Sequence, residues 1–245
     1  MSEAPDLVLR PRRVLAWLLG TVALLVLGHA GATVAEFGFG RDHVLGFRRL
    51  LNFDGEGTIP AWYSSLLFLL PGLLCAAIAR LRRRAGDRFH AHWLVLAAVF
   101  VFLALDEATA IHEQLIGAFR DEFSTSGALL HAWVIPYGIF VMALGILYVP
   151  FLRALPRRTR RLVIASAATF LAGAIVMEMV GGYVWDRHAV RGIPIIVIMA
   201  AEETLEMAGL AFFSYALLDF IAREHPDAAL RAGPAREDAR PGHAS

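Results

Sequence analysis

The chain has 245 residues, 58% of them hydrophobic, a mean hydropathy of +0.57 and a formal net charge of +1 at pH 7. That apolar excess excludes an ordinary soluble domain, and the near-zero charge excludes a nucleic-acid partner held by bulk electrostatics. A single cysteine, Cys75, excludes an intrachain disulfide.

A helix that crosses a bilayer needs about 20 mostly apolar residues. Six stretches meet that length, at about 14–34, 61–79, 91–118, 129–151, 162–185 and 193–221. They predict an all-α polytopic membrane protein, a six-helix bundle forming one domain over 1–222. A tail rich in Pro, Gly, Ala and charge follows over 223–245 and is expected to be disordered.

Arg10, Arg12 and Arg13 precede the first stretch. Its apolar run is longer than the core of a cleaved signal peptide, so an uncleaved helix is expected. The connection at about 35–60 carries Phe37, Phe39, Phe47 and Phe53. Residues 43–51 suit a short interfacial helix; an ordered loop over the outer face is the favoured alternative. Pro71 and Pro136 predict kinks in the second and fourth helices.

The arginines are sorted by connection. Arg80, Arg82, Arg83, Arg84 and Arg88 lie between stretches two and three, and Arg153, Arg157, Arg158, Arg160 and Arg161 between four and five. With Arg223 and the N-terminal group, all fall on one side of an alternating bundle. The positive-inside rule makes that side, and both termini, cytoplasmic. A multi-pass protein of a bacterial inner membrane is the expected setting.

Seven carboxylates lie inside the apolar stretches: Asp106, Glu107 and Glu113 in the third, Glu178 in the fifth, and Glu202, Glu203 and Glu206 in the sixth. A charged group in hydrocarbon costs roughly 2.5–3.5 kcal/mol at the low end unless it is compensated. At ~1.5 Å per residue the alternating topology places all three sets in one layer, roughly 7 to 19 Å below the outer boundary. Asp106, Thr109 and Glu113 share a helical stripe flanked by Glu107 and His112, and Glu202, Glu203 and Glu206 fall within a ~100° arc. His131 opens the fourth stretch, and His29 lies near the outer end of the first.

Carboxylates with a few imidazoles suit Zn, Fe or Mn. The expected metal ligands are Asp106, His112, Glu113, Glu178, Glu202, Glu206 and His131, with room for one or two divalent ions. Glu203 and Glu107 remain as candidate catalytic bases. Neither Glu-x-x-His nor His-Glu-x-x-His occurs, which argues against ferritin-like and zincin sites. Trp62, Trp133, Tyr137, Tyr183 and Trp185 read as interfacial anchors. Gly181-Gly182 predicts close helix approach near Glu178.

The runs Leu105-Asp106-Glu107 through His112-Glu113 and Glu202-Glu203-Thr204-Leu205-Glu206-Met207 resemble a family of uncharacterised bacterial multi-pass membrane proteins. Asn52-Phe53-Asp54 through Ile59-Pro60-Ala61-Trp62-Tyr63-Ser64 resembles their first outer loop. The likeness extends to about Phe220 and implies no activity. The histidine spacing of alkaline ceramidases, which also hold a metal between membrane helices, is absent.

The expected function is a membrane-embedded metalloenzyme, hydrolase or oxidoreductase, acting on a lipid or other membrane-resident substrate. A divalent-cation or proton transporter is the first alternative. A structural or sensory protein whose metal staples the helices is the second. Membrane lipids are the expected partners, and the oligomeric state is left open.

Overall fold

The computed structural model describes residues 10–39, 47–53, 55, 57–111, 114, 125–188 and 192–225. Among them the protein is helical and has no strand. The long helices are α1 (Pro11–Phe39), α3 (Ile59–Arg84), α4 (His90–Thr109) and α9 (Ile193–Glu224). A short α2 (Phe47–Leu50) follows the first, and α5 (Val134–Leu147) and α6 (Val149–Ala154) lie between α4 and α7 (Arg157–Leu171). A π-helical segment, Ala172–Met177, joins α7 to α8 (Glu178–His188).

Five helices are long and apolar enough to cross a membrane, the run Arg157–Arg187 counting as one. The fourth predicted stretch does not form one helix of that length. It divides into a 3₁₀ turn at Gly127–Leu129, the 14 residues of α5 and the six of α6. The break falls at Tyr148, two residues before Pro150, which has no N–H for the helical ladder and crowds the preceding turn. Pro136 does not kink a helix interior: it occupies the first turn of α5, where an N–H has no intrahelical partner anyway. Pro71 lies within α3, which continues through it.

The third helix is also shorter than expected. It stops at Thr109 because Ala110 adopts a left-handed conformation, φ 52° and ψ 43°. That geometry costs an L-residue roughly 1–2 kcal/mol. Ala110→Gly is expected to raise the unfolding free energy by about 0.5–1 kcal/mol, part of the relief being offset by the entropy of glycine in the unfolded chain. Denaturant titration in detergent checks this.

α9 is the axis of the bundle. Of its apolar window 61% is buried, against 17–44% in the other four long helices. α3 and α4 form a tight antiparallel hairpin. Gly86, at φ 70°, makes its turn, and the Asp87 carboxylate accepts from the Phe89 N–H at 2.8 Å. One core, around Cys75, Trp93, Phe151, Leu217 and Phe220, fills the end of the bundle nearest that turn. A second, around Val22, Phe53, Phe68, Ala104, Met207 and Leu210, lies toward the other end. α1 presents Trp17, Leu24 and Leu27 outward, 78%, 69% and 70% exposed, as a helix facing lipid does.

α7 and α9 meet along a glycine seam. A methyl group on Gly209 would lie 2.6 Å from the Phe170 nitrogen, and one on Gly173 2.7 Å from the Glu202 carbonyl oxygen. Gly182 likewise faces the Gly127 carbonyl and Leu130, so the expected close approach there is made to the connecting turn as well as to a helix.

The apolar stretches hold an eighth carboxylate, Asp219, at the end of the bundle away from Asp106, Glu178, Glu202, Glu203 and Glu206. Its oxygens accept from Arg158 Nε at 2.8 Å and Arg223 Nε at 2.9 Å, while Arg158 Nη2 also donates to the Tyr215 hydroxyl at 3.1 Å. Arg82 bridges Asp87 and Glu224 and covers the Phe220 ring at 4.8 Å. The Asp219 side chain is only 10% exposed, but its two arginines are 47% and 57% exposed, so solvent screening limits the pairs. Asp219→Ala leaves two guanidinium groups facing each other and is expected to lower stability by about 1–2 kcal/mol in thermal or denaturant unfolding.

Candidate functional site

Helices α4, α5 and α9, the π-helical segment and the start of α8 enclose a cavity of about 800 Å³. Asp106 and Glu107 reach it from α4, Glu178 from α8, and Glu202, Glu203 and Glu206 from α9. His131 and Trp133 line it from the chain before α5, with Tyr137 from the first turn of that helix. Phe53 and Gly55, in the connection after α2, and Ala61 of α3 line it too. Six of the seven predicted acids therefore share one cavity. His112 and Glu113, the other two predicted ligands, lie outside the described residues.

Local structure explains why these side chains converge. Phe170, Ala174 and Glu178 recur at steps of four, which in an α-helix drift by about 40° per step. The wider turn at Ala172–Met177 cancels most of that drift and keeps all three on the cavity wall. Such π-helical inserts are frequent at functional sites. Gly173 in the same segment lets the backbone rest against α9 at Glu202 and Glu206, drawing the acids of the two helices together.

Glu178 is the hub. Its Oε1 accepts from Trp133 Nε1 at 2.9 Å, and His131 Nδ1 lies 2.8 Å from the same oxygen. The Glu202 carboxyl on α9 comes close to it. Two carboxyl groups in contact need a proton or a cation between them, since both oxygens are acceptors when ionised. Across the cavity the Tyr137 hydroxyl donates to Asp106 Oδ2 at 2.9 Å, and Asp106 is 4% exposed. Glu206 lies within electrostatic reach of Glu203, Glu107, Glu202 and Glu178.

Trp133 and Tyr137 are thus not simple interfacial anchors. Their i,i+4 spacing puts both on the cavity face, and that spacing next to His131 was the available signal. Trp62, Tyr183 and Trp185 do stand exposed, at 66%, 46% and 36%. Thr109, expected beside Asp106, is exposed and turns its hydroxyl back to the Leu105 carbonyl. His29 does not line the cavity: its Nδ1 contacts the Leu51 carbonyl at 3.1 Å and its ring packs against Phe53, which holds the connection between α1 and α3 in place. Asp186 accepts from the Gly127 N–H at 3.0 Å, tying α8 to the 3₁₀ turn. Met199 lines the cavity, whereas Met207 is fully buried in the core.

Among the described residues, no three His, Cys, Asp or Glu side chains are gathered as a set that could hold a metal ion. The six acids are spread along the cavity wall rather than gathered at one point. The lining holds no Arg or Lys, so His131 is its one basic side chain among the described residues. Asp219, with which Arg158 and Arg223 pair, lies 13 residues beyond Glu206 along α9, a rise of roughly 20 Å.

No curated protein and no solved structure matches the chain. One family model does, over residues 14–220, a span that takes in most or all of each of the five long apolar helices and every acid of the cavity. On that match the chain belongs to the family DUF8692, a domain of unknown function.

Proposed function

We propose that the protein is a membrane-embedded enzyme whose acid-lined cavity holds a divalent metal, Zn, Fe or Mn, against a lipid or other membrane-resident substrate. The observation that carries this reading is the meeting of carboxylates from three separate helices in a cavity without Arg or Lys. A bound cation relieves their mutual repulsion out of bulk water. Glu178, Glu202 and Glu206 from the glycine seam, with His131 and Asp106, are the ligands of choice. Carboxylate and imidazole donors match those metals. Glu203 and Glu107 then serve as bases for a metal-activated water.

The setting goes with this reading. We take the chain as a six-crossing protein of a bacterial inner membrane, with α5 and α6 together making the broken fourth crossing and both termini cytoplasmic. The arginine network at one end of the bundle supports that orientation, and the cavity then lies toward the outer face.

Elemental analysis of purified protein tests the metal. We expect near-stoichiometric divalent metal in the wild type and at least tenfold less in Glu202→Gln and Asp106→Asn. Equal, negligible metal in all three overturns the metal centre. It leaves the second reading, a proton pathway, which the approach of Glu178 to Glu202 favours because a shared proton satisfies that contact as well as a cation does.

A further inference from the structure

The cavity is amphipathic along its length. Below the acids, α4 contributes Val95, Ala98, Val99 and Phe102 to the wall, and α5 contributes Phe140 and Val141. From Val95 to Asp106 the helix rises roughly 16 Å, about half the ~30 Å hydrocarbon thickness of a bilayer and so the reach of one lipid chain. Val95, Phe102 and Phe140 line the cavity and are also 48%, 47% and 48% exposed, so the seam between α4 and α5 is open along its side. A ligand resident in the membrane enters there without crossing water.

The head-group end has its own chemistry. Six carboxylates face one histidine. With four of the six carboxylates ionised, one divalent ion and one imidazolium still leave a surplus of negative charge. An anionic head is repelled by that surplus. An ammonium group is attracted, offers three donors to the carboxylates, and finds the Trp133 and Tyr137 rings within the same lining for cation–π contact.

We propose that the occupant of the cavity is a single-chain amphiphile with a protonated amine head, its head among the acids and its hydrocarbon chain along the α4–α5 seam. This names the substrate class and rests on the reading of the cavity as a site for a membrane-resident substrate; it does not require the metal.

The test is photolabelling of purified full-length protein with a diazirine-bearing hexadecylamine, beside the equal-length alkyl phosphate and alcohol. We expect saturable amine labelling of α4 and α5 peptides, competed by unlabelled hexadecylamine and at least fivefold stronger than phosphate labelling. Ala98→Trp places a large ring in the groove from an exposed position and should reduce labelling at least fivefold. Val141→Trp does the same from the opposite wall and serves if Ala98→Trp fails to fold. Glu203→Gln should weaken amine labelling more than alcohol labelling. Phosphate labelling equal to amine labelling, or wild-type labelling in a folded groove-filling variant, overturns the proposal. Metal content, measured on the same samples before and after chelation, reports separately on the metal centre, so either idea can fail alone.

Discussion

Glu178→Gln is expected to abolish metal retention while leaving the fold intact. Glutamine has the same shape and keeps a carbonyl oxygen to accept from Trp133 Nε1, now at 2.9 Å from the glutamate. Its amide can donate toward Glu202 without a shared proton or cation. What it removes is one negative charge at the point where α8 meets α9. On the proposed reading Glu178 is a ligand and His131, 2.8 Å away, is either a second ligand or the group that orients it. Loss of an outer partner of a metal ligand alone lowers affinity roughly 10–100-fold, so loss of the ligand itself should lower it at least that much. Glu178→Leu provides the contrast. It strands the indole N–H and the imidazole in a cavity wall and should destabilise the protein by about 1–3 kcal/mol. Metal titration by calorimetry, with unfolding followed on the same variants, separates the two effects. Unchanged metal affinity in a folded Glu178→Gln protein removes Glu178 from the metal centre.

Gly209→Ala is expected to be the most damaging single methyl addition in the chain. The new carbon would lie 2.6 Å from the Phe170 nitrogen, 2.7 Å from its Cβ and 2.8 Å from its Cα. Two of those atoms are backbone, so relief requires α7 to move as a body rather than a side chain to rotate. Overpacking of this kind costs about 1–3 kcal/mol, and here the upper end is expected. Gly173→Ala meets the Glu202 carbonyl oxygen at 2.7 Å and the Glu206 nitrogen at 3.0 Å, so it should also perturb ligand binding in the cavity. Gly20→Ala, with no atom within 4 Å of the added carbon, is the control and should be neutral or slightly stabilising. Indistinguishable unfolding of Gly209→Ala and Gly20→Ala in detergent would refute the glycine seam.

Much of the site was legible before any coordinates. Hydropathy located the apolar helices, and the acids stood out because ionisable residues inside such segments are rare and expensive. Depth along each helix follows from a constant rise per residue, which is why opposite-running stretches predicted a common layer. The failures have equally specific causes. Pro150 was the proline that mattered in the fourth stretch, because Pro136 occupies a first turn where a missing N–H is harmless. The left-handed turn at Ala110 has no glycine to announce it, so the third helix appeared longer than it is. Asp219 differs from the other acids of the sixth stretch in its partner, Arg158, which lies 61 residues earlier and which no pattern within the stretch encodes.

Hydropathy and helical period, both local properties, determined from the chain alone that this is a helical membrane protein with buried acids. Which side chains answer those acids was decided only by tertiary structure. Trp133 meets Glu178 across 45 residues and Tyr137 meets Asp106 across 31. The close contact of Gly209 with Phe170, like the π turn that aims Glu178, follows from how helices pack. Helix packing depends on surfaces formed by several segments at once, and no periodicity within one segment encodes it.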